Sequence, residues 1–493
     1  MTSSPSEKEK FTHDVRWVLI SMVAMLGIRM VRQPLVLLFV IEDDYGYWGV
    51  VLTLMNLVTI FGYWFVAGVT KFTAEYNATS EKRLYELIST VILLAIFSSL
   101  AVTAAMVFLS DYLAGFFKME IKTLLITVAF SFPFSFVLTS LVSVLQGLRW
   151  MKKLAIAQIA MTIFSMVSVL SMLYLGFGIN ALAIDTILYS IFTVIVLFYL
   201  LKTKIRFTLN RFKEHTKNLA YYGLNSISAG LISYFAFYSI GTLVLAYYVD
   251  AKEVAYYYVA TGFISMMWMV PTAINKVAYP AASEYWAVKK TTQMEKMVNT
   301  SLQYSLIVLS VGGVGLFLFI DEYIALLYPN SFQKSAYVIW ILLIGGCLFG
   351  MVKSIKIFGS VGRPDIGWKI NLITILPNFF LSLVLVQWWG IWGVAIATTV
   401  STSFTAFLTI YYIRKVVQVK IELNRLFQLG SFTFFICLLA FIFYSWFGLS
   451  HLSILWISLK LLLFGISIYI VWFFYMTKED HTNFLRFISI RSS

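Results

Sequence analysis

Two arginines, Arg29 and Arg32, stand inside a long apolar segment, residues 15–40, where a guanidinium group is costly to bury. Their three-residue spacing puts both side chains on one face of a helix, and Gln33 extends that polar face. An arginine at mid-bilayer depth costs at least about 2.5 kcal/mol, so it normally faces protein or a water-filled cavity. Two interpretations are open. The pair lines a path for an anionic ligand, or the side chains snorkel to the headgroups, which suits Arg32 better than Arg29.

Polar residues elsewhere in apolar segments extend this set of candidates. Asp185 is the one carboxylate predicted well inside a span, where it either binds a proton or sodium ion or neutralises Arg32. The second role is favoured because both residues are placed toward the outer half of their spans. Lys353 shares a helix face with Lys356 but lies near the predicted cytoplasmic end, so a headgroup anchor is an equal alternative to a cavity role. Asn56 and Lys276, together with Lys353, are further candidates for groups that line the cavity.

The charge of these groups decides between ligand classes. Two arginines and a few lysines against one aspartate predict a basic path, which suits a diphosphate or a carboxylated sugar and disfavours organic cations. Lys460 has no evident partner and is expected to snorkel from a lipid-facing position. The four histidines, His215 among them, are scattered and are expected to be solvated. No HExxH, GxSxG or paired carboxylates occur, so neither an enzyme, a metal site nor a cofactor is expected.

The elements that position these residues are membrane spans. The chain has 493 residues, of which 60% are hydrophobic and only 12% charged. This composition predicts an all-α polytopic membrane protein. Because a spanning helix needs about 20 residues, the sequence accommodates about fourteen spans, at 15–39, 47–70, 84–109, 121–145, 154–175, 179–201, 219–247, 254–276, 299–320, 335–356, 368–388, 391–413, 429–447 and 453–476.

Lysine and arginine placement predicts the orientation of the chain. Thirty of the 37 Lys and Arg residues fall on the side that carries both termini, and the opposite loops hold only Lys118, Lys122, Lys252 and Lys334. By the positive-inside rule both termini are cytoplasmic, in the cell membrane. The net charge of +14 is therefore a signal of topology and anionic lipids, and nucleic-acid binding is not inferred. The polar N-terminus lacks a cleavage site, so the first span is expected to be retained.

Short motifs indicate two copies of a six-helix unit. Gly46-Tyr47-Trp48 recurs as Ala255-Tyr256-Tyr257, 209 residues later. The predicted organisation is a tail over 1–14, a bundle over 15–201, a linker over 202–218, a bundle over 219–413, two appended helices over 414–476 and a tail over 477–493. The loops are short and no phosphate-binding GxxxxGK[ST] loop occurs, so an ATP-driven pump is excluded. A parallel repeat places the substrate path between the copies.

This chain resembles Wzx-type flippases of lipid-linked oligosaccharides, in the multidrug/oligosaccharidyl-lipid/polysaccharide exporter superfamily. The resemblance rests on the span order, on the arginines of the first span, and on three segments, QGLRWMKKLA, LAYYVDAKEVAYYYVA and GSVGRPDIGWKI. One departure is Gly241, which stands where many relatives have an acidic residue. Any ion-coupling role of that acid is therefore in doubt in this protein.

The resemblance implies alternating access and an undecaprenyl-diphosphate-linked glycan as the cargo, with Arg29 and Arg32 meeting the diphosphate. Membrane lipids, a coupling proton or sodium ion, and glycosyltransferases or a glycan polymerase are the partners that it allows. A small-molecule or multidrug antiporter of the same superfamily is the alternative function. A membrane glycan polymerase is a further one, which the short and nearly uncharged outer loops disfavour.

Overall fold

The computed structural model describes residues 7–62, 64–221, 239–447 and 454–475, and these residues form helices and connecting turns without any strand. A segment that crosses lipid must satisfy its backbone hydrogen bonds internally, and a helix does so along its whole length. The predicted all-α class is confirmed. Before residue 202 the helices are α1 Glu7–Leu37, α2 Glu42–Gly62, α3 Val66–Thr79, α4 Glu81–Phe117, α5 Lys122–Ala129, α6 Phe132–Gly147, α7 Met151–Tyr174 and α8 Asn180–Leu201.

The rest of the chain is also helical where it is described. A linker helix covers residues 212–221. The later helices are α9 Ile240–Tyr248, α10 Ala251–Met267, α11 Met269–Ala287, α12 Thr291–Leu327, α13 Gln333–Lys353, α14 Pro364–Tyr412, α15 Leu423–Phe447 and α16 Ile454–Ile470. One short 3-10 helix, Asn330–Phe332, and two π-helical turns, Ile413–Val417 and Val471–Tyr475, complete them. The predicted span 219–247 and the predicted tail over 1–14 lie partly outside the described residues, and the predicted tail over 477–493 lies wholly outside them.

Helix boundaries recur along the chain. Helix α2 begins at Glu42 and α10 begins at Ala251, 209 residues later, which is the spacing of the sequence motifs. Helices α4 and α12 are each 37 residues long. This recurrence of length and spacing supports a pseudo-repeat of one helical unit.

Eight helices among the described residues are long and apolar enough to cross a membrane, or nine if the bent pair α5 and α6 forms one span. Large apolar side chains such as Phe108 are exposed on the protein surface, which is stable only against lipid or another apolar surface. The exact number of fourteen spans stays a prediction. Two of the predicted spans, 368–388 and 391–413, meet in α14, where Gly390 lies between them, adopts a positive φ of 52° and interrupts the helix.

The chain divides into two compact units. Unit 1 comprises Met1–Tyr258 with Ser382–Val394, and unit 2 comprises Val259–Leu381 with Ala395–Ser493. In unit 1, α1 packs along α7, α7 packs along α8, and α6 packs against α3, α4 and α8. In unit 2, α12 packs against α11, α13, α15 and α16. The bundle boundaries predicted from the sequence stay predictions.

Candidate functional site

The basic site in unit 1 is built by three helices. Arg32 of α1 donates from a terminal guanidinium nitrogen to Oδ2 of Asp185 in α8, over 3.1 Å. The hydroxyl of Ser165 in α7 donates to the same oxygen over 2.6 Å. These residues are far apart in sequence, and the packing of α1 on α7 and of α7 on α8 brings them together. Of the two roles considered for Asp185, pairing with Arg32 is the contact that the structure contains, and an ion site there stays a prediction.

Burial is unequal within this ion pair. The Asp185 side chain is 5% exposed, whereas the Arg32 side chain is 29% exposed. The carboxylate is therefore enclosed by protein, while part of the Arg32 side chain remains exposed. Because the Arg32 side chain is partly exposed, this charge-assisted hydrogen bond holds Arg32 in place without enclosing it.

Arg29 lies one turn before Arg32 on α1 and is exposed. No carboxylate among the described residues forms an ion pair with it, in contrast to Arg32. The charges of both arginines act on the hydroxyl of Tyr189, which lies one turn after Asp185 on α8. Both arginines therefore have Tyr189 as a neighbour, as expected for two side chains on one face of α1. Arg29 is the more available cation of the two.

The remaining candidates of unit 1 differ in their surroundings. Gln33 donates from Nε2 to the hydroxyl of the buried Tyr45 in α2 over 3.2 Å, so it joins α1 to α2. Asn56 is exposed on α2. Gly241 is buried in α9, and a Cβ added there would meet the hydroxyl and ring of the buried Tyr257. The space beside Gly241 is therefore filled by the Tyr257 ring.

The candidate lysines lie in unit 2. Lys276 is exposed on α11, and the preceding Asn275 donates to the backbone carbonyl of Ser354 over 3.2 Å. Lys353 ends α13, and its Nζ lies 4.2 Å from the centre of the Trp268 ring. A cation over a tryptophan face is stabilised by the ring quadrupole. The structure therefore gives Lys353 an aromatic contact, and a cavity role for either lysine stays a prediction.

The structure corrects one expectation about Lys460. Its Nζ lies 2.6 Å from Oε1 of Glu322, and the two side chains are 4% and 9% exposed, so snorkelling into lipid is wrong. Helix α12 continues to Leu327, beyond the predicted span end at residue 320, and this extension carries Glu322 into the packed unit. The signal that could have revealed it is the apolar Ile324-Ala325-Leu326-Leu327 run after the carboxylate.

A second expectation, that the histidines are solvated, is wrong for His215. Its Nε2 lies 3.7 Å from Oε2 of Glu86 in α4, and both side chains are almost fully buried. The ring of Tyr76 packs edge-on against the imidazole, with 5.5 Å between ring centres. The linker before it is bound to the same helix, because Ser89 donates to the Arg206 carbonyl over 3.0 Å. His451 and His481 lie outside the described residues.

Comparison with known proteins supplies the family. The model of the family described as "Polysaccharide biosynthesis protein" matches residues 38–337, which is more than half of the chain. The chain belongs to this family. The match begins at residue 38, so it covers α7 and α8 of the basic site but not α1, which carries the two arginines.

Two relatives from Haloferax volcanii bear flippase names. The "Probable low-salt glycan biosynthesis flippase Agl15" is 21% identical over 216 residues, which are 43% of this chain and 45% of the relative. The "Probable flippase AglR" is 25% identical over 184 residues, which are 36% of this chain and 38% of the relative. The chain thus matches less than half the length of these curated relatives.

Solved structures share the fold over a larger part of the chain. The lipid II flippase MurJ, in an inward closed conformation, superposes with a TM-score of 0.69 at 16% identity, over 97% of this chain and 99% of that one. A MOP superfamily transporter from Pyrococcus furiosus superposes with a TM-score of 0.63 at 15% identity, over 82% of this chain and 95% of that one. Family and fold together confirm the resemblance to polysaccharide flippases, and the long apolar helices among the described residues are those of a multi-pass membrane protein.

Proposed function

We propose that this protein moves a lipid-linked anionic saccharide, with undecaprenyl diphosphate as the lipid carrier, from the cytoplasmic to the outer leaflet of the cell membrane by alternating access. Arg29 and Arg32 meet the phosphates, while the polyprenyl tail stays in lipid. Both termini lie in the cytoplasm, and the glycan comes from and goes to glycosyltransferases or a polymerase. The names of the two archaeal relatives and of the MurJ neighbour, all flippases, support this proposal.

The observation that carries the proposal is the state of the two arginines. Arg29 is exposed and has no carboxylate partner among the described residues, and Arg32 is held by Asp185 yet remains partly exposed. A diphosphate presents several oxygens to which guanidinium groups bind in a bidentate way. Two guanidinium groups one turn apart on a helix are suited to adjacent phosphates.

The same residues disfavour an exporter of cationic drugs. Such a ligand needs an available carboxylate or an aromatic cage. Asp185 is engaged by Arg32 and Ser165, and the Tyr257 ring fills the space beside Gly241. A drug-susceptibility panel on a strain that lacks the protein separates the two functions, because a glycan flippase leaves broad drug sensitivity unchanged.

The first prediction concerns the arginine pair. Arg29→Ala and Arg32→Ala together should abolish surface glycan while the amount of protein in the membrane stays the same, because the phosphates lose both charged donors. Arg29→Ala alone should reduce glycan more than Arg29→Lys, which keeps the charge but not the bidentate geometry. Glycan is measured on the cell surface with a lectin or antibody, against membrane protein quantified by immunoblot.

A matched control is Lys122→Ala. Lys122 lies at the start of α5 and forms an exposed ion pair with Asp111 over 2.7 Å, so its removal takes away a positive charge far from α1 in sequence. The control should export glycan normally. Normal export by the double arginine variant would disprove the assignment of the cargo to these two residues.

A further inference from the structure

The Arg32–Asp185 contact leaves several polar atoms without partners. Oδ2 of Asp185 accepts from both Arg32 and Ser165, whereas Oδ1 is buried and has no hydrogen bond to any described residue. The Nε atom of Arg32 is likewise buried and unbonded within the described part of the chain. Ser168, one turn after Ser165 on α7, lies beside the same carboxylate, and its hydroxyl has no hydrogen bond within normal distance. The ion pair therefore uses only part of the hydrogen-bonding capacity of the site.

On the basis of the proposed function, we infer that Asp185 takes the place of a substrate phosphate on Arg32 in the empty protein, and that a bound phosphate displaces it. Arg32 contacts the carboxylate through one nitrogen only, while a guanidinium forms its strongest contacts in a bidentate way. Arg32 is partly exposed, so an anion can reach it. Asp185 is enclosed and cannot follow the guanidinium into water.

The displaced carboxylate takes up a proton. A buried carboxylate without a cation is unfavourable, and protonation removes its charge. Oδ1, the buried oxygen with no hydrogen bond to a described residue, is the atom that receives the proton, and the Ser168 hydroxyl beside the carboxylate is the group that accepts the resulting O–H. The proton comes from water, and it returns to water when Arg32 pairs with Asp185 again. Phosphate binding and protonation of Asp185 are thus linked.

The groups that face Asp185 support this linkage. From α1 this is Arg32, and from its own helix α8 it is Tyr189, which in turn has Arg29 as a neighbour. Helix α7 contributes Ser165 and Ser168, which are uncharged. No second cation among the described residues pairs with Asp185.

The other ionisable groups of the neighbouring helices are engaged elsewhere. Helix α6 has no ionisable side chain, and Lys122 of α5 is exposed and paired with Asp111. The two lysines at the start of α7, Lys152 and Lys153, lie over the rings of Trp17 and Trp150. None of them replaces Arg32 when it leaves the carboxylate.

The experiment measures pyrophosphate binding to the full-length protein in lipid nanodiscs by calorimetry, at several values between pH 5.5 and 8. Asp185→Asn and the unchanged protein are compared at each pH, so that titration of the probe itself cancels. At pH 8 the variant should bind about tenfold more tightly, because Arg32 no longer has a charged competitor. At pH 5.5 the two affinities should converge. Repeating the calorimetry in buffers of different ionisation enthalpy gives the number of protons taken up on pyrophosphate binding. At pH 8 the unchanged protein should take up about one proton more than the variant.

Two variants make the result specific to Arg32. Arg32→Gln combined with Asp185→Asn should bind no more tightly than Arg32→Gln alone, because the competition acts through this guanidinium. Asp111→Asn, which removes an exposed carboxylate in the same unit, should bind like the unchanged protein. Ser165→Ala, which weakens the hold on Oδ2, should tighten binding about two- to threefold, and it decides the question if Asp185→Asn does not fold.

The outcomes separate this inference from the function on which it rests. If pyrophosphate binding is absent, or is indifferent to Arg29 and Arg32, the proposed cargo site is wrong. If binding depends on the arginines but neither Asp185→Asn nor Ser165→Ala tightens it at pH 8, the exchange between carboxylate and phosphate is wrong and the cargo site stands.

Discussion

The two units each hold a buried carboxylate that pairs with a cation, and the two pairs differ in how far the cation is enclosed. In unit 2, Lys460 is 4% exposed and Glu322 is 9% exposed. In unit 1, Asp185 is as deeply enclosed at 5%, but Arg32 is 29% exposed. In the pair of unit 2, both the cation and the carboxylate are enclosed, and we call it the closed pair. In the pair of unit 1, only the carboxylate is enclosed, and we call it the open pair.

This difference indicates different roles. The closed pair joins α16 to α12, so it attaches one of the appended helices to the central helix of unit 2. Such a pair contributes little net stability compared with apolar packing, but the loss of one partner leaves a buried charge uncompensated. In the open pair Arg32 can exchange the carboxylate for another anion at lower cost, because its side chain is already partly exposed. Enclosure of the cation therefore distinguishes a structural pair from an exchangeable one.

The largest effect is expected from breaking the closed pair. Lys460→Met leaves Glu322 buried without a cation and should destabilise the protein by about 3–5 kcal/mol. The measurement is thermal unfolding of the purified protein in detergent. Lys460→Met combined with Glu322→Leu removes both charges and should return most of the lost stability.

The outcome of this pair of variants bears directly on the position of α16. If Lys460→Met unfolded at the same temperature as the unchanged protein, the amine would be solvated at the membrane surface and the enclosed ion pair would be absent. If the double variant were as unstable as the single one, loss of packing and not the uncompensated charge would explain the effect.

A smaller effect is expected from the open pair. Asp185→Asn leaves a partly exposed guanidinium, and the amide oxygen still accepts a hydrogen bond from Ser165, so the loss should be about 1 kcal/mol or less. The same thermal unfolding assay measures it. A loss as large as that of Lys460→Met would mean that Arg32 is as enclosed as Lys460, and the distinction between an exchangeable and a structural pair would fail.

The open pair was easier to predict from the sequence than the closed pair. Arg32 and Asp185 both lie well inside apolar segments, so the cost of burying each charge indicated a partner at similar depth. Glu322 escaped notice because the predicted span ended at residue 320, next to the first carboxylates, whereas α12 continues to Leu327. The end of a helix depends on packing that a hydropathy window does not contain.

The contacts that the linker after α8 makes by folding back along α4 could not be predicted from the sequence either. The linker after α8 returns along α4, where the backbone carbonyl of Arg206 accepts from Ser89 and Lys204 pairs with Glu81 over 2.7 Å. Nothing in the spacing of these residues indicates that they meet, because they lie more than one hundred positions apart. The repeat, in contrast, could be predicted, since short aromatic motifs at a fixed spacing mark equivalent helix starts.

The smallest effect is expected at the buried contact between His215 and Glu86. This contact tests whether burial has the same consequence for a group that can lose its charge. Burial lowers the pKa of His215, and the nearby carboxylates of Glu86 and Glu214 oppose this only in part. The folded-state pKa therefore lies below the unfolded value of about 6.5, so the unfolded chain takes up the proton first. Stability should be constant above that value and fall as the pH drops below it.

His215→Gln should remove this pH dependence, because glutamine does not titrate, and it should flatten the loss of stability between pH 7 and 5 by up to about 1 kcal/mol. The midpoint of thermal unfolding at pH 5, 6 and 7 is the measurement, with Lys122→Ala as a control that should keep the slope. A histidine that turned toward Glu86 as a charged partner would give the opposite sign, with stability rising as the pH falls. The Glu86 carboxylate would then stabilise a charged imidazole, as the Glu322 carboxylate does the Lys460 amine, and the contrast between a neutral and an ionic buried contact would be lost.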